Sequence, residues 1–202
     1  DSGGDLNGIP ADLNDLFWQA YTNGARIHSD SWGSSDYGNY TIDSQAADQF
    51  MWDHKDMLLV FSAGNDGVDW NSDGVVDADS IGSPATAKNL LTVGAAESDR
   101  PPGSGGYSSY TWGTAWPSDY PANPLKDDYL SQSADGTNQG LAAFSSRGPT
   151  DDARFKPDLV APGTDVISCR SRAPGAGTGW GAHPNTNYAF SGGTSMATPL
   201  TA

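Results

Sequence analysis

The amino-acid sequence predicts an α/β layered domain with a mainly parallel sheet. Two segments carry apolar residues at helical spacing, and short strand-like runs alternate with them. The run Met57-Leu58-Leu59-Val60-Phe61 is continuous in its apolar residues, follows a helix and enters a Gly-containing loop, as a buried parallel strand does. The resulting order, helix–strand–helix–strand–loop–strand, is that of a layered domain in which helices cover a parallel sheet.

Pro10 to Gly24 reads as the first helix. Leu13, Leu16, Phe17, Ala20 and Tyr21 fall on one face, Pro10 suits a first turn and Gly24 is placed to end it. Arg26 to Ser31 reads as a short strand, followed by a loop from Trp32 to Tyr40. A second helix is predicted from about Ile42 to His54, with Ala46, Ala47, Phe50 and Met51 inward. The 57–61 strand comes next, and Leu90-Leu91-Thr92-Val93-Gly94 looks like another. From about Glu97 to Gly140 the pattern changes to Gly, Ser, Pro, Tyr and Trp without a sustained period, which predicts a long loop insertion pinned by aromatics. Short apolar runs follow at 141–144, 159–161, 166–169 and 188–190.

The chain has 202 residues, enough for one domain with a substantial core, and 25 Gly with 13 Pro predict abundant loops. Seven Trp, eight Tyr and six Phe give it much to bury, which argues against disorder. The formal net charge of −15 repels nucleic acid and anionic membranes, so neither is expected as a partner. It suits a soluble secreted protein, or one that gathers cations. Cys169 is the only cysteine, which excludes an internal disulfide; its apolar surroundings in Val166-Ile167-Ser168-Cys169 predict a buried, inert thiol. No apolar stretch is long enough to span a bilayer.

Chemistry shows first in Ser191-Gly192-Gly193-Thr194-Ser195-Met196-Ala197-Thr198-Pro199. Two glycines let a substrate approach the backbone, and Ser195 stands where a helix should begin. Free N–H groups and the positive end of the helix dipole there suit a nucleophile whose attack creates an oxyanion. Pro199 fits near a helix start, which keeps Ser195 at that end. The same spacing also fits a Gly-rich turn before an ordinary helix. A second signal is Val60-Phe61-Ser62-Ala63-Gly64-Asn65-Asp66-Gly67, in which an apolar strand runs directly into an Asn at its carboxyl end. Open α/β sheets place ligand crevices at that edge, although Asn and Gly also make plain turns.

Together these motifs make the chain resemble the subtilisin-like (S8) serine peptidases. The family's serine motif is matched by Gly193-Thr194-Ser195-Met196-Ala197-Thr198-Pro199, its oxyanion motif by Ala63-Gly64-Asn65 and its substrate strand by Ser31-Trp32-Gly33. Phe144-Ser145-Ser146-Arg147-Gly148-Pro149 and Lys156-Pro157-Asp158-Leu159-Val160-Ala161-Pro162-Gly163 match a further stretch, and the likeness is greatest to the KP-43-type bacterial alkaline proteases. The resemblance implies a three-layer α/β/α fold and peptide-bond hydrolysis through an acyl-enzyme on Ser195, with Asn65 in the oxyanion hole. It implies substrate contacts at Ser31, Trp32, Gly33, Ser62, Ala63, Gly64, Gly193 and Thr194, with Gly82 at the floor of the S1 pocket. No acidic residue accompanies Gly82 in Ile81-Gly82-Ser83-Pro84, so a preference for Lys or Arg at P1 is not indicated. The partners implied are protein and peptide substrates of a secreted enzyme that is monomeric at full length.

The family's His-Gly-Thr motif has no match here. His28, His54 and His183 stand in other contexts: His28 on the strand before the substrate loop, His54 at a helix end and His183 in a Gly/Pro loop. Asp1-Ser2-Gly3 imitates the family's aspartate motif without the apolar strand that should precede it. The triad Asp and His are therefore expected outside this chain, which reads as an internal fragment of a catalytic domain, inactive alone.

One loop points to a metal. Asp69, Asn71, Asp73 and Asp77 supply side-chain oxygens at positions 1, 3, 5 and 9 of an EF-hand-like loop, with the Val75 carbonyl at position 7 and Gly74 at the turn. Position 12 is Ser80 in place of the bidentate Glu, and a solvated acidic loop is the plain alternative. Structural calcium is the cofactor expected. A non-catalytic, calcium-stabilised extracellular module would explain the acidity and the loop, but not the Ser and Asn motifs in their order.

Overall fold

The computed structural model describes residues 8–131, 140–173 and 175–202. Helix α1 (Leu13–Thr22) starts later than Pro10, because the Asp12 side chain accepts the Asn14 N–H and caps it. Leu13 and Phe17 are its buried residues, and Leu16, Ala20 and Tyr21 pack against the same cluster. Strand β1 (Ile27–Asp30) leads to α2 (Ile42–Asp53), which is capped by Thr41 and buries Ala47 and Phe50. Strands β2 (Leu58–Ser62), β3 (Leu91–Ala96) and β4 (Leu159–Pro162) complete a parallel sheet in the order β1-β2-β3-β4.

The register sets Asp30 beside Phe61 and Ser62 beside Val93, so the carboxyl ends of three strands finish at one edge. α1 and α2 pack together and share the core of Leu59 and Phe61. Helix α4 (Thr194–Thr201) packs across β1 to β4 and buries Ala197 in a second core with Val60, Val93 and Ala95. The sheet thus has apolar residues for both faces, the reason its inner strands read as continuous apolar runs. The architecture is the expected α/β one, with helices on a mainly parallel sheet.

Strands β5 (Val166–Cys169), β6 (Gly181–Ala182) and β7 (Tyr188–Ser191) form an antiparallel sheet in the order β5-β7-β6. Cys169 is exposed, which corrects the expectation of a buried thiol. β5 is an edge strand with three of its four residues exposed, and its apolar character did not bring a covering layer.

Between β3 and β4 the aromatic stretch carries α3 (Trp112–Ala115) and a 3-10 turn (Leu125–Asp127). Trp112, Tyr120 and Leu130 are buried in the second core, against Phe144. Both ends of the stretch meet at Glu97. Its carboxylate accepts the Trp112 Nε1–H at 3.0 Å and the Gly140 N–H at 2.9 Å. Burial pushes its pKa up to about 7, against the opposing pull of those two donors.

Candidate active site

Ser195 is the second residue of α4, after Gly193 at the N-cap. Gly193 holds φ of +140°, a conformation that a side chain would strain. Its neighbour Gly192 lies against the Trp180 ring, where an added Cβ would meet ring atoms at 2.1 Å. Pro199 lies farther inside the helix than the sequence suggests. Lacking an N–H, it cannot serve the Ser195 carbonyl four residues back. The Ser31 hydroxyl serves it instead, donating to Ser195 O at 2.9 Å, and Ser195 Oγ donates to Ser31 O at 3.2 Å. This reciprocal pair binds the serine motif to the strand motif at a distance of 164 residues in sequence.

Asn65 follows β2 and is exposed. Its Oδ1 accepts the Thr194 N–H at 2.9 Å and the Thr194 hydroxyl at 3.0 Å. With Oδ1 engaged twice, Nδ2 is left as the free donor of the amide. Ser195 belongs to the first helical turn, whose N–H groups have no intrahelical acceptor. The side-chain amide and a helix-start N–H are the donors that a developing oxyanion needs.

A cleft of about 240 Å³ gathers most of the residues singled out from the sequence: Ser31, Trp32, Gly33, Ser62, Ala63, Gly64, Asn65, Gly82, Thr194 and Ser195. Its walls are tied by backbone bonds. Ser34 and Ser83 exchange N–H···O bonds of 2.9 and 3.0 Å, and the Gly82 N–H donates to Ala63 O at 3.1 Å. Gly193 lies outside this cleft and lines a second hollow, on which Asn65 also borders. Asp66 was missed by sequence reasoning, which searched for acids only beside Gly82; it lines the cleft and accepts from Ser35 Oγ at 2.8 Å. Its place immediately after Asn65 was the signal available.

None of the three histidines is bonded to Ser195. His28 pairs with Asp30 at 2.6 Å, and Asp30 also accepts the Trp32 Nε1–H at 3.0 Å. That hydrogen bond holds the His28 pKa above its ordinary value despite burial. His28 and Asp30 are on the α1 side, where the His28 ring meets Phe17 edge-on. His54 caps α2 with its ring stacked on Phe50 at 4.2 Å, and His183 borders Tyr188 and Phe190. Asp1-Ser2-Gly3 lies outside the described residues.

In the acidic loop, Asp69 spends both carboxylate oxygens on the N–H groups of Asp73 and Gly74, at 3.0 Å each. The Asn71 Nδ2 donates to Asp73 Oδ2 at 3.1 Å and to Asp77 Oδ1 at 3.4 Å. An amide N–H₂ thus lies between two carboxylates, where positive charge is favoured. The carboxylate oxygens that Asn71 Nδ2 faces are ligands of the kind that hard cations take. Among the described residues, no three acidic, His or Cys side chains converge as a ligand cluster. No helix of the described residues is long and apolar enough to cross a membrane.

Comparisons with known proteins show the family and the fold. The profile of the subtilase family (Peptidase_S8) matches residues 3–202. The chain is 32% identical, over 95% of its length, to the serine protease/ABC transporter B family protein tagD of Dictyostelium discoideum. It is 32% identical, over 96% of its length, to pyrolysin of Pyrococcus furiosus, and 30% identical, over 72%, to the serine protease AprX of Bacillus subtilis. It spans only 12% of tagD and of pyrolysin, and 24% of AprX. Among solved structures, the prenylagaramide maturation protease PagA superposes with a TM-score of 0.51 at 22% identity, over 98% of this chain and 48% of that one.

Proposed function

The chain belongs to the subtilase family of serine peptidases, and from that premise we propose that it hydrolyses peptide bonds of proteins through an acyl-enzyme on Ser195. The observation that carries the reading is the convergence of Ser195, the free Asn65 amide and the Ser31–Gly33 and Ser62–Gly64 backbone on one cleft. An extended peptide adds to these backbone segments, with its P1 side chain toward Gly82. Ser195 Oγ attacks the scissile carbonyl carbon while its proton passes to a base. The carbonyl oxygen becomes an oxyanion facing Asn65 Nδ2 and the Ser195 N–H. Collapse expels the amine, which takes up a proton, and water then releases the acyl group.

On this reading the base is none of His28, His54 and His183, which pair with Asp30, stack on Phe50 and border Tyr188. In the resting arrangement Ser195 Oγ is hydrogen-bonded to the Ser31 carbonyl. A carbonyl accepts a hydrogen bond but is too weak a base to remove the proton, so the chain by itself does not turn over substrate. Calcium is part of the same proposal. Asn71, Asp73, Asp77 and the Val75 carbonyl would hold it, with Asp69 shaping the loop through its two backbone bonds. Its role is to stiffen the chain that follows Asn65. A secreted location rests on the acidic composition.

The test is hydrolysis of a fluorogenic protein substrate by the full-length gene product and two variants. Ser195→Ala abolishes turnover. Asn65→Ala lowers kcat by about 10²–10³, the magnitude found for the oxyanion-hole Asn of a subtilisin. Unchanged kcat in Asn65→Ala, or activity surviving Ser195→Ala, overturns the reading. Correctly folded protein without turnover favours a binding module instead.

A further inference from the structure

We propose that the aromatic hollow beside Asn65 receives the residue on the leaving-group side of the scissile bond, and selects arginine or lysine there. The inference rests on the peptidase reading above. The hollow measures about 230 Å³, and its side-chain walls include Val68, Trp116, Asp119, Tyr120, Phe144 and Trp180. Asn65 lines both this hollow and the cleft, and Gly193, which lines the hollow, immediately precedes Thr194 and Ser195 in the cleft. A peptide whose carbonyl is held between Ser195 and Asn65, with its acyl side along the cleft, must leave past Asn65 and Gly193. What adjoins there is this hollow.

Its chemistry is specific. Trp116 and Trp180 approach at 5.8 Å between ring centroids, and Phe144 meets Trp180 edge-on at 6.0 Å. Tyr120 is buried, with its hydroxyl donating to Gly67 O at 2.9 Å, and it backs the hollow behind Trp116, which it meets edge-on. Asp119 is half-buried, and its carboxylate has no hydrogen-bond partner among the described residues. Arg147, the cation whose charge reaches Tyr120, is committed to the carbonyls of Ala142, Ala143 and Ser145. Aromatic walls with one unengaged carboxylate suit a side chain with a long apolar stem and a cationic end. The stem packs on the rings, the cation faces their π systems and the carboxylate takes the charge. Trp116, Asp119 and Tyr120 come from the stretch between β3 and β4, which gives that stretch a role in specificity.

The test uses the full-length protein and quenched peptides identical except for the residue after the scissile bond: Arg, Lys, Phe, Ala or Asp. The expected kcat/KM for Arg and Lys exceeds that for Ala by about tenfold or more, with Asp lowest. Asp119→Asn collapses the Arg-to-Ala ratio. Equal rates for Arg and Ala, a preference for Phe over Arg, or an Arg advantage that survives Asp119→Asn overturns the proposal. If no peptide is cleaved, the peptidase reading fails and binding decides the hollow separately. Arg-Ala-Ala amide should then quench tryptophan fluorescence at lower concentration than Ala-Ala-Ala amide, and lose that advantage in Asp119→Asn. Equal titrations of the two peptides refute it.

Discussion

Replacing Glu97 by Gln should change how stability depends on pH. Glu97 is only 1% exposed, and its pKa rises from 4.5 to about 7 in the folded protein. The folded state therefore holds this proton more tightly than the unfolded chain does. A raised carboxyl pKa makes stability highest below the unfolded value, lets it fall between pH 4.5 and about 7, and leaves it flat above. At ~1.4 kcal/mol per pH unit, the loss across that window is about 3 kcal/mol. Other groups titrate in the same range, so the informative quantity is the difference between wild type and Glu97→Gln. Gln removes the titration. It also turns an N–H₂ toward one of the two donors, Trp112 Nε1 or the Gly140 N–H, adding a pH-independent cost of about 1–3 kcal/mol. Urea unfolding, followed by tryptophan fluorescence from pH 4.5 to 8, measures both. The wild-type advantage should shrink by about 3 kcal/mol as pH rises to 7 and then stay constant. Parallel curves for the two proteins would refute the assignment of a neutral Glu97 at acid pH.

Three further outcomes are expected. Ser31→Ala leaves the Ser195 carbonyl without the donor that Pro199 denies it, and should lower stability by about 1 kcal/mol by urea midpoint, with a fall in kcat. Asp30→Asn removes the partner that holds the His28 pKa up, so the imidazole titration followed by NMR should move down from its wild-type position. In the wild type, that ion pair stabilises fully below pH 6.5 and is lost as pH rises through the raised value. The Trp32 indole N–H resonance should report the same midpoint, since it shares Asp30. Chelation of calcium should lower the Tm by roughly 5–10 °C if the ion is normally present at about 100 times its Kd, and Asp77→Asn should blunt that response.

The helices and sheet were legible because their causes are local. Leu13 and Phe17 recur at helical spacing, and β2 is apolar from Leu58 to Phe61 because helices cover both faces of the sheet. That the motif residues share a cleft was legible for a different reason: the roles proposed for Ser195 and Asn65 each need a specific backbone setting, and short motifs record such settings. What failed depends on distant partners. Cys169 ends a run that begins with Val166 and Ile167 but lies on an uncovered edge strand. The 97–131 residues lack a period, yet Trp112 is fully buried, because their order comes from Glu97 and ring contacts and not from a repeating face. The Ser31–Ser195 hydrogen bonds join two motifs that the sequence assigns to one site, but neither motif predicts that direct contact.

Under the proposed function, that pair also bears on how the catalytic apparatus divides. The acceptor side of Asn65 is fixed by Thr194, and the Ser195 carbonyl by Ser31, so the donors proposed for the oxyanion are set by bonds internal to this chain. Electrostatic preorganisation of this kind lowers a barrier only when donors need not move as charge develops. Proton removal is a separate requirement, and among the described residues Ser195 Oγ is hydrogen-bonded to a carbonyl. A base that engages Ser195 must displace the Ser31 carbonyl from Oγ, while the Ser31 hydroxyl can keep its hold on the Ser195 backbone. The oxyanion hole can therefore form before the base arrives, and binding of a substrate-like aldehyde or boronate is expected to depend on Asn65 more than on Ser31.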